Sequence, residues 1–574
     1  QFGGDGAEDT IRERIRGRLT RLELPAHLED VSSTRIRENI DLNRDIVNLI
    51  DPVAQQYIYD NGLYLREPQY KPVLYASGLR FRACDPIAEE DIAEAAPVFT
   101  RGLPPAIVQA MGEPGMRMLL YYHAKQDREP AGFLCLRDLD ETATAALGEP
   151  AAATVRAHPS AKRALLLRAL AVRNLDEAQA VCQTLLTQAL AHGLREGCTA
   201  ALYQDARPNT TPHVAQALER QGFIKLAPGP GAQAYFVDMH NPVVLLHDVD
   251  PLIKEPLRSD AGVIAAEERA HQSMQRALTG LYPGELILSF SSRLMNAQLI
   301  QKITKLNGVP GEELPERRLG KYMCVPYGKI LRDVAFPNTV TKTLHVEKVY
   351  DETARNFTIR HYPNYSPLRT QVETLRSFGR PLLLVDDLLH TSNRVKELTP
   401  LFREFGVPIG KFVCAILTAQ GKQLMADKGY EAESAYFLPR MRLWVSESNL
   451  YPFVGGDSSH NSGDERWGSI NSVNMILPYV MPRSMPGCTD VQLVDFSMVC
   501  LENTLTILTA LERAYREYYG RNLTLERLGE AFLSPRRPDK GECMAYDGSL
   551  LPSAYVESDI CHLTRLDPRL IDES

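Results

Sequence analysis

A chain of 574 residues exceeds one ordinary hydrophobic core, and its length predicts three or four domains. Its composition, 44% hydrophobic, 24% charged and 7% aromatic, is ordinary for a globular protein. The formal charge of −8 argues against a general nucleic-acid binder, which concentrates basic residues on one face. Ten cysteines without a CxxC pair give no zinc or redox motif and no disulfide framework, so a reduced, cytoplasmic setting is expected. No secretory signal opens the sequence, no apolar run approaches the roughly 20 residues of a membrane span, and no membrane partner is expected. The first residue is Gln1 rather than Met, which leads to the expectation of a longer N-terminal part.

Three regions are predicted, 1–68, 73–240 and 245–574. The first is helical and charged, and the prolines of LREPQYKP mark its exit linker. In VSSTRIRENI, three hydroxyls precede a helical pattern; hydroxyls and free amides at a helix N-terminus can cradle a phosphate. The candidate contacts are Ser32, Ser33, Thr34 and Arg37, and a plain helix cap at Thr34 explains the same residues. VSSTRIREN, followed by LIDPVAQQYIYDNGLY, resembles the C-terminal end of nicotinate-nucleotide adenylyltransferases and related cytidylyltransferase-like enzymes. The resemblance implies a helical remnant of a Rossmann-like domain whose Ser32, Ser33, Thr34 and Arg37 meet ATP phosphates. The family's HxGH occurs nowhere in the sequence, so nucleotidyl transfer would need a catalytic half outside it.

In the second region, ALLLRALAV (Ala164 to Val172) reads as a buried strand. Apolar residues at mostly three- and four-residue steps then predict an amphipathic helix, with Gly193 as its stop. This pair, followed by DARPNTTPHVAQALERQGFIKL, resembles the GNAT acyltransferase fold. In that family the loop after the strand holds the CoA pyrophosphate with R/Q-x-x-G-x-G/A. Here the loop is RNLDEA: Arg173 and Ala178 match, but Asp176 stands where the central glycine belongs. Leu218 occupies the place of the family's tyrosine acid, and Asn209 fits a family asparagine. A GNAT-like α+β domain without acetyl-CoA is therefore expected, free to act as a scaffold or to take another ligand.

In the third region, LLLVDDLLHTSNRV is an apolar strand that ends in Asp386 and Asp387. Paired acids at the carboxyl edge of a parallel sheet can accept bonds from a sugar diol, directly or through Mg²⁺. Amides and hydroxyls of Thr391, Ser392 and Asn393 could hold a monophosphate, with Arg394 as its clamp. The alternative is a strand-to-helix turn with two solvated acids. The stretch resembles the PRPP-binding motif of type I phosphoribosyltransferases, hydrophobic strand, D-D, then T-T-G-x-T, with His390, Ser392 and Arg394 as departures. The resemblance implies a parallel sheet flanked by helices, with Asp386 and Asp387 as catalytic acids on the ribose and indirect Mg²⁺ contacts. It further implies pyrophosphate contacts from Lys329 and Arg332, a flap at NFTIRHYPNYSPL and base recognition near Trp444 to His460. Pro400 is expected to kink or restart the following helix. His345, His361, His390 and His460 read as plain polar residues, and the largely helical C-terminal extension has no assignment.

Together these readings predict a multidomain α/β transferase of nucleotide or NAD-type metabolism. Its phosphoribosyltransferase-like domain would bind PRPP, or another ribose 5-phosphate ligand, with Mg²⁺. A non-catalytic protein that senses a nucleotide or sugar phosphate, and an acetyl-CoA-dependent N-acyltransferase, are the alternatives.

Overall fold

The computed structural model describes residues 32–33, 36–37 and 79–565, apart from 125–126, 150, 228–232, 312–318, 332–335, 363–365, 392, 461–468, 483–484 and 541–544. Most of the expected nucleotidyltransferase remnant, Thr34 included, lies outside the described residues, as do Arg332 and Ser392.

The first sheet has nine strands. β1 (Arg80–Cys84), β2 (Arg117–Tyr122), β3 (Gly132–Asp138) and β4 (Ala164–Val172) form an antiparallel run. β5 (Ala200–Gln204) then lies parallel to β4, and β6 (Ile224–Lys225) and β7 (Ala234–His247) follow. Helices α1 (Glu89–Ala95), α2 (Pro105–Met111), α3 (Glu141–Ala145), α4 (Ala151–Ala157), α5 (Ala178–Glu196) and α6 (Pro212–Arg220) connect them. All of β4 but the half-buried Arg168 is buried, as a strand covered on both faces requires. Gly193 does not end α5. The helix runs through it to Gly197, whose φ of 88° makes the left-handed stop, while Gly193 gives the room a Cβ would take 3.2 Å from Leu165.

The 14-residue strand β7 belongs to two modules. Its first half pairs antiparallel with β5 and β6. Its second half pairs parallel with β8 (Glu285–Ser291) and later with β16 (Leu443–Ser446). Between β7 and β8 runs α7 (Ala261–Leu281), and α8 (Ser292–Asn307) follows β8.

The second sheet is wholly parallel, in the order β10-β9-β13-β14-β15. Its strands are β9 (Met323–Pro326), β10 (Val340–Thr341), β13 (Leu382–Leu389), β14 (Ile409–Thr418) and β15 (Ala432–Leu438), connected in part by α9 (Leu368–Ser377), α10 (Asn393–Glu404) and α11 (Ala419–Asp427). Counted along the chain this is the doubly wound order 2-1-3-4-5, which reverses between β9 and β13. Pro400 sits inside α10, and the helix continues through it. Lys396, whose carbonyl loses its helical partner there, is exposed, so water can take the bond.

The third sheet, β12-β11-β17-β18-β19, joins the hairpin β11 (Val346–Tyr350) and β12 (Phe357–His361) to β17 (Asp457–Ser459), β18 (Ile470–Val473) and β19 (Arg536–Pro538). The first part of the expected flap is thus the outer hairpin strand β12. Arg536 is 4% exposed and ties this sheet together: it pairs with Glu347 at 2.9 Å and donates to Ser458 Oγ at 2.6 Å.

One apolar core is continuous from the first sheet to the second, through Leu185 and Leu190 of α5, Ile300 of α8, and Val385, Val413 and Tyr436. A second core packs α7 against α13 (Asp490–Tyr519) and α15 (Pro552–Arg565), the last two helices flanking the short α14 (Leu528–Ala531) in sequence. By length and composition the 30-residue α13 could cross a membrane, contrary to the sequence reading, but 61% of its most apolar window is buried within the chain.

Candidate functional site

The two ligand loops expected from the sequence lie at strand ends. At the start of α5, Arg173 pairs with Glu129 at 2.6 Å. The Asp176 amide bonds Asn174 Oδ1 at 3.0 Å, Glu177 is the N-cap residue and reaches His123 at 2.6 Å, and Ala178 is buried. Two carboxylates therefore occupy the helix end where the family places an anion. They favour the macrodipole and oppose a pyrophosphate.

Beside this loop, β4 outruns its parallel neighbour. Strand pairing with β5 covers Ala164 to Leu167, and the rest of β4 has no strand partner on that side. The chain itself fills the gap. Ala206 N donates to Arg168 O at 2.7 Å, and Arg207 Nη2 donates to Leu170 O at 3.1 Å. Arg207 is fixed by the buried Asp205 carboxylate at 2.8 and 2.7 Å. Leu218 is wholly buried in the core and offers no acid.

In the second sheet, Asp386 and Asp387 are the fifth and sixth residues of the eight-residue β13 rather than its end. They are 4% and 8% exposed and not solvated. Asp386 Oδ1 meets Arg394 Nη1 at 2.6 Å and accepts the Asp387 amide at 2.9 Å. Asp387 takes the amides of Lys329 at 2.6 Å and Ile330 at 3.0 Å. Burial opposes the Arg394 charge, but Asp386, Asp387 and Asp457 outweigh it and raise its pKa. Arg394 is therefore the counter-ion of Asp386 rather than an outward phosphate clamp. Both acids hold the chain first, so the donor set does not suit direct Mg²⁺ ligation. Thr391 and Asn393 are exposed, two residues beyond β13 and at the first position of α10.

Lys329 faces this edge from the turn after β9. Its ammonium bonds Asn449 and reaches Asp457 at 3.1 Å. Burial would raise the Asp457 carboxyl, but Lys329 and Lys348 hold it down at about 2. Of the histidines singled out in the sequence, His390 Nδ1 lies 3.0 Å from Thr418 Oγ1 and His460 lies 3.4 Å from Glu352. At the N-terminal segment, Arg37 Nε bonds the Ser33 carbonyl at 3.0 Å and Ile36 N bonds Ser32 O at 3.0 Å.

A cluster that the sequence reading missed lies at the carboxyl ends of β7 and β16. Glu447, the first residue of α12 (Glu447–Leu450), is wholly buried. Its carboxylate meets His247 Nδ1 at 3.1 Å and His271 Nδ1 at 2.6 Å. Burial opposes the Glu447 charge, but the two imidazoles hold it down at about 2; burial also opposes the His271 charge, and Glu447 draws it up to about 9. Asp248 accepts Ser446 Oγ at 2.5 Å, Ser448 N at 2.9 Å and Ser448 Oγ at 2.8 Å, and so fixes the residues on both sides of Glu447. The three side chains stand at positions 247, 271 and 447, and no spacing pattern links them. The only local cue was His-Asp closing the apolar run VVLLHD.

No family model matches the chain, and no curated protein matches it. Solved structures similar to part of it are GNAT acyltransferases. They include FeeM, an N-acyl amino acid synthase from uncultured soil microbes, at 13% identity over 28% of this chain and 89% of that one, with a TM-score of 0.21. The ribosomal-protein-S18-alanine N-acetyltransferase of Escherichia coli is 11% identical over 27% of this chain and 91% of its own, TM-score 0.19. Tetrahymena GCN5 is 12% identical over 27% and 94%, TM-score 0.20. The likeness is one of fold and is confined to just over a quarter of the chain. It concerns a GNAT-like domain alone and lends nothing to the nucleotidyltransferase or phosphoribosyltransferase readings.

Proposed function

We propose that the chain binds a ribose 5-phosphate ligand, such as phosphoribosyl diphosphate carried as its Mg²⁺ complex, at the carboxyl edge of the second sheet. In this reading the GNAT-like domain is a scaffold. One observation carries it: the parallel order 2-1-3-4-5 reverses between β9 and β13, and the segments that leave the carboxyl ends of these two neighbouring strands carry Lys329 and Thr391 with Asn393. Open α/β sheets take ligands at such a reversal. Asp386 and Asp387 shape this edge, one through Arg394 and the other through the turn after β9, and the ion travels with the ligand. Phosphoribosyl diphosphate with Mg²⁺ is expected to raise the melting temperature of the wild-type chain, and Asp387→Asn to remove the shift. No shift in the wild type rules this reading out. Binding without release of pyrophosphate identifies a sensor rather than a transferase.

A second reading, N-acyl transfer from acetyl-CoA, is favoured by the likeness of part of the chain to solved acetyltransferases of the GNAT fold. Arg207, which occupies the Leu170 carbonyl of β4, and the acids at α5 oppose it. Calorimetric titration with acetyl-CoA decides: heat at one equivalent supports acyl transfer, and none leaves the domain a scaffold.

A further inference from the structure

We infer that His247, His271 and Glu447 bind a divalent first-row transition-metal ion whose open coordination position faces the cleft between α5 and the carboxyl ends of β7 and β8. This goes beyond the sugar-phosphate reading and does not depend on it.

The donors come from three elements, the end of β7, the middle of α7 and the start of α12, and one ligand atom from each lies within 4.8 Å of the others. Two imidazoles and a carboxylate form the donor set of catalytic zinc sites and of open iron(II) sites. The facing atoms, both Nδ1 and both carboxylate oxygens, are buried, stand 2.6 and 3.1 Å apart, and have no hydrogen-bond partner outside this cluster. Buried polar atoms in native proteins nearly always find partners, and these four have only one another, so one shared ion would serve them all. An ion would replace the direct imidazole–carboxylate contacts and satisfy all three side chains.

The support is already in place. Asp248 fixes Ser446 and Ser448 on either side of Glu447, which limits the reorganisation needed on binding. The site is also reachable. His247 and His271 line a cleft of about 270 Å³, together with Ser289, Ser291, Arg220 and Arg293. Three protein donors leave a coordination position for water, and the two arginines favour an anionic group beside it.

A triad in which two imidazolium rings share one carboxylate is the competing account, and it takes up no ion. The test uses the full chain, stripped with a chelator and titrated with Co²⁺ followed by calorimetry and visible absorption. The expected result is one equivalent bound, with d–d bands and no thiolate charge-transfer band, displaced by one equivalent of Zn²⁺. Glu447→Gln keeps the side-chain shape and is expected to weaken Co²⁺ binding by more than about 100-fold. If circular dichroism shows that this variant is unfolded, His271→Gln takes its place. No stoichiometric binding by the wild type, a thiolate band, or unchanged affinity in a folded variant overturns the inference.

Discussion

Lys329 donates its backbone nitrogen to Asp387 Oδ2 at 2.6 Å, joining the turn after β9 to the middle of β13. The second carboxylate oxygen takes the next amide, Ile330 N, at 3.0 Å. Asp387→Asn puts an NH₂ group against one of these two donors. We expect a loss of about 1–3 kcal/mol, read by chemical denaturation at neutral pH. Unchanged stability would show that the acid does not hold the turn.

Gly328 tests the same contact by shape alone. A Cβ there would stand 2.2 Å from Asp387 Oδ1 and 2.8 Å from Asp387 N, and the strand cannot yield without moving. Gly328→Ala should cost about 1–3 kcal/mol. It should also diminish the thermal shift produced by phosphoribosyl diphosphate. A variant with a full shift and native stability would separate this turn from ligand binding.

In the third sheet, Arg536 and Glu347 are almost wholly buried. Arg536→Ala leaves Glu347 uncompensated, at an expected cost of about 3–5 kcal/mol. The double variant Arg536→Met with Glu347→Leu removes both charges and should recover most of that loss. A double variant as unstable as the single one would mean that the bonds Arg536 donates to Ser458 Oγ at 2.6 Å and to the Tyr362 hydroxyl at 2.5 Å, not the ion pair, hold the sheet.

Acid should loosen the edge of the second sheet. The Asp457 carboxyl sits at about 2 in the folded chain, below its ordinary 3.8. A depressed carboxylate contributes stability above its unfolded value, and this is lost as pH falls from about 4 through 2. Denaturation midpoints should fall across that window in the wild type and less steeply in Asp457→Asn. Equal slopes would remove Asp457 from the acid transition.

Strands and helices of the first and second sheets were legible from apolar runs such as ALLLRALAV and PLLLVDD, because a parallel strand buried on both faces leaves little else at those positions. The partners of the polar residues were not legible. Arg394 reads in sequence as a phosphate clamp, yet it turns inward because Asp386, eight positions back, is buried and needs a counter-ion. Gly193 reads as a helix stop, but Leu165 packs against it and the helix continues. His247, His271 and Glu447 left no pattern because chain separation hides what three folded elements bring together.

The strand β7 passes through position 240, where the sequence divides into its second and third regions. A cut there would leave each fragment with an unpaired strand edge, the kind of surface that recruits other chains. Separate expression of the two halves should therefore give aggregates rather than domains, and a protease should find no early nick between 234 and 247. A strand shared in this way also leaves no hinge at position 240, so Arg220 from the first module keeps its spacing to His247 and His271 from the second whether or not anything lies between them.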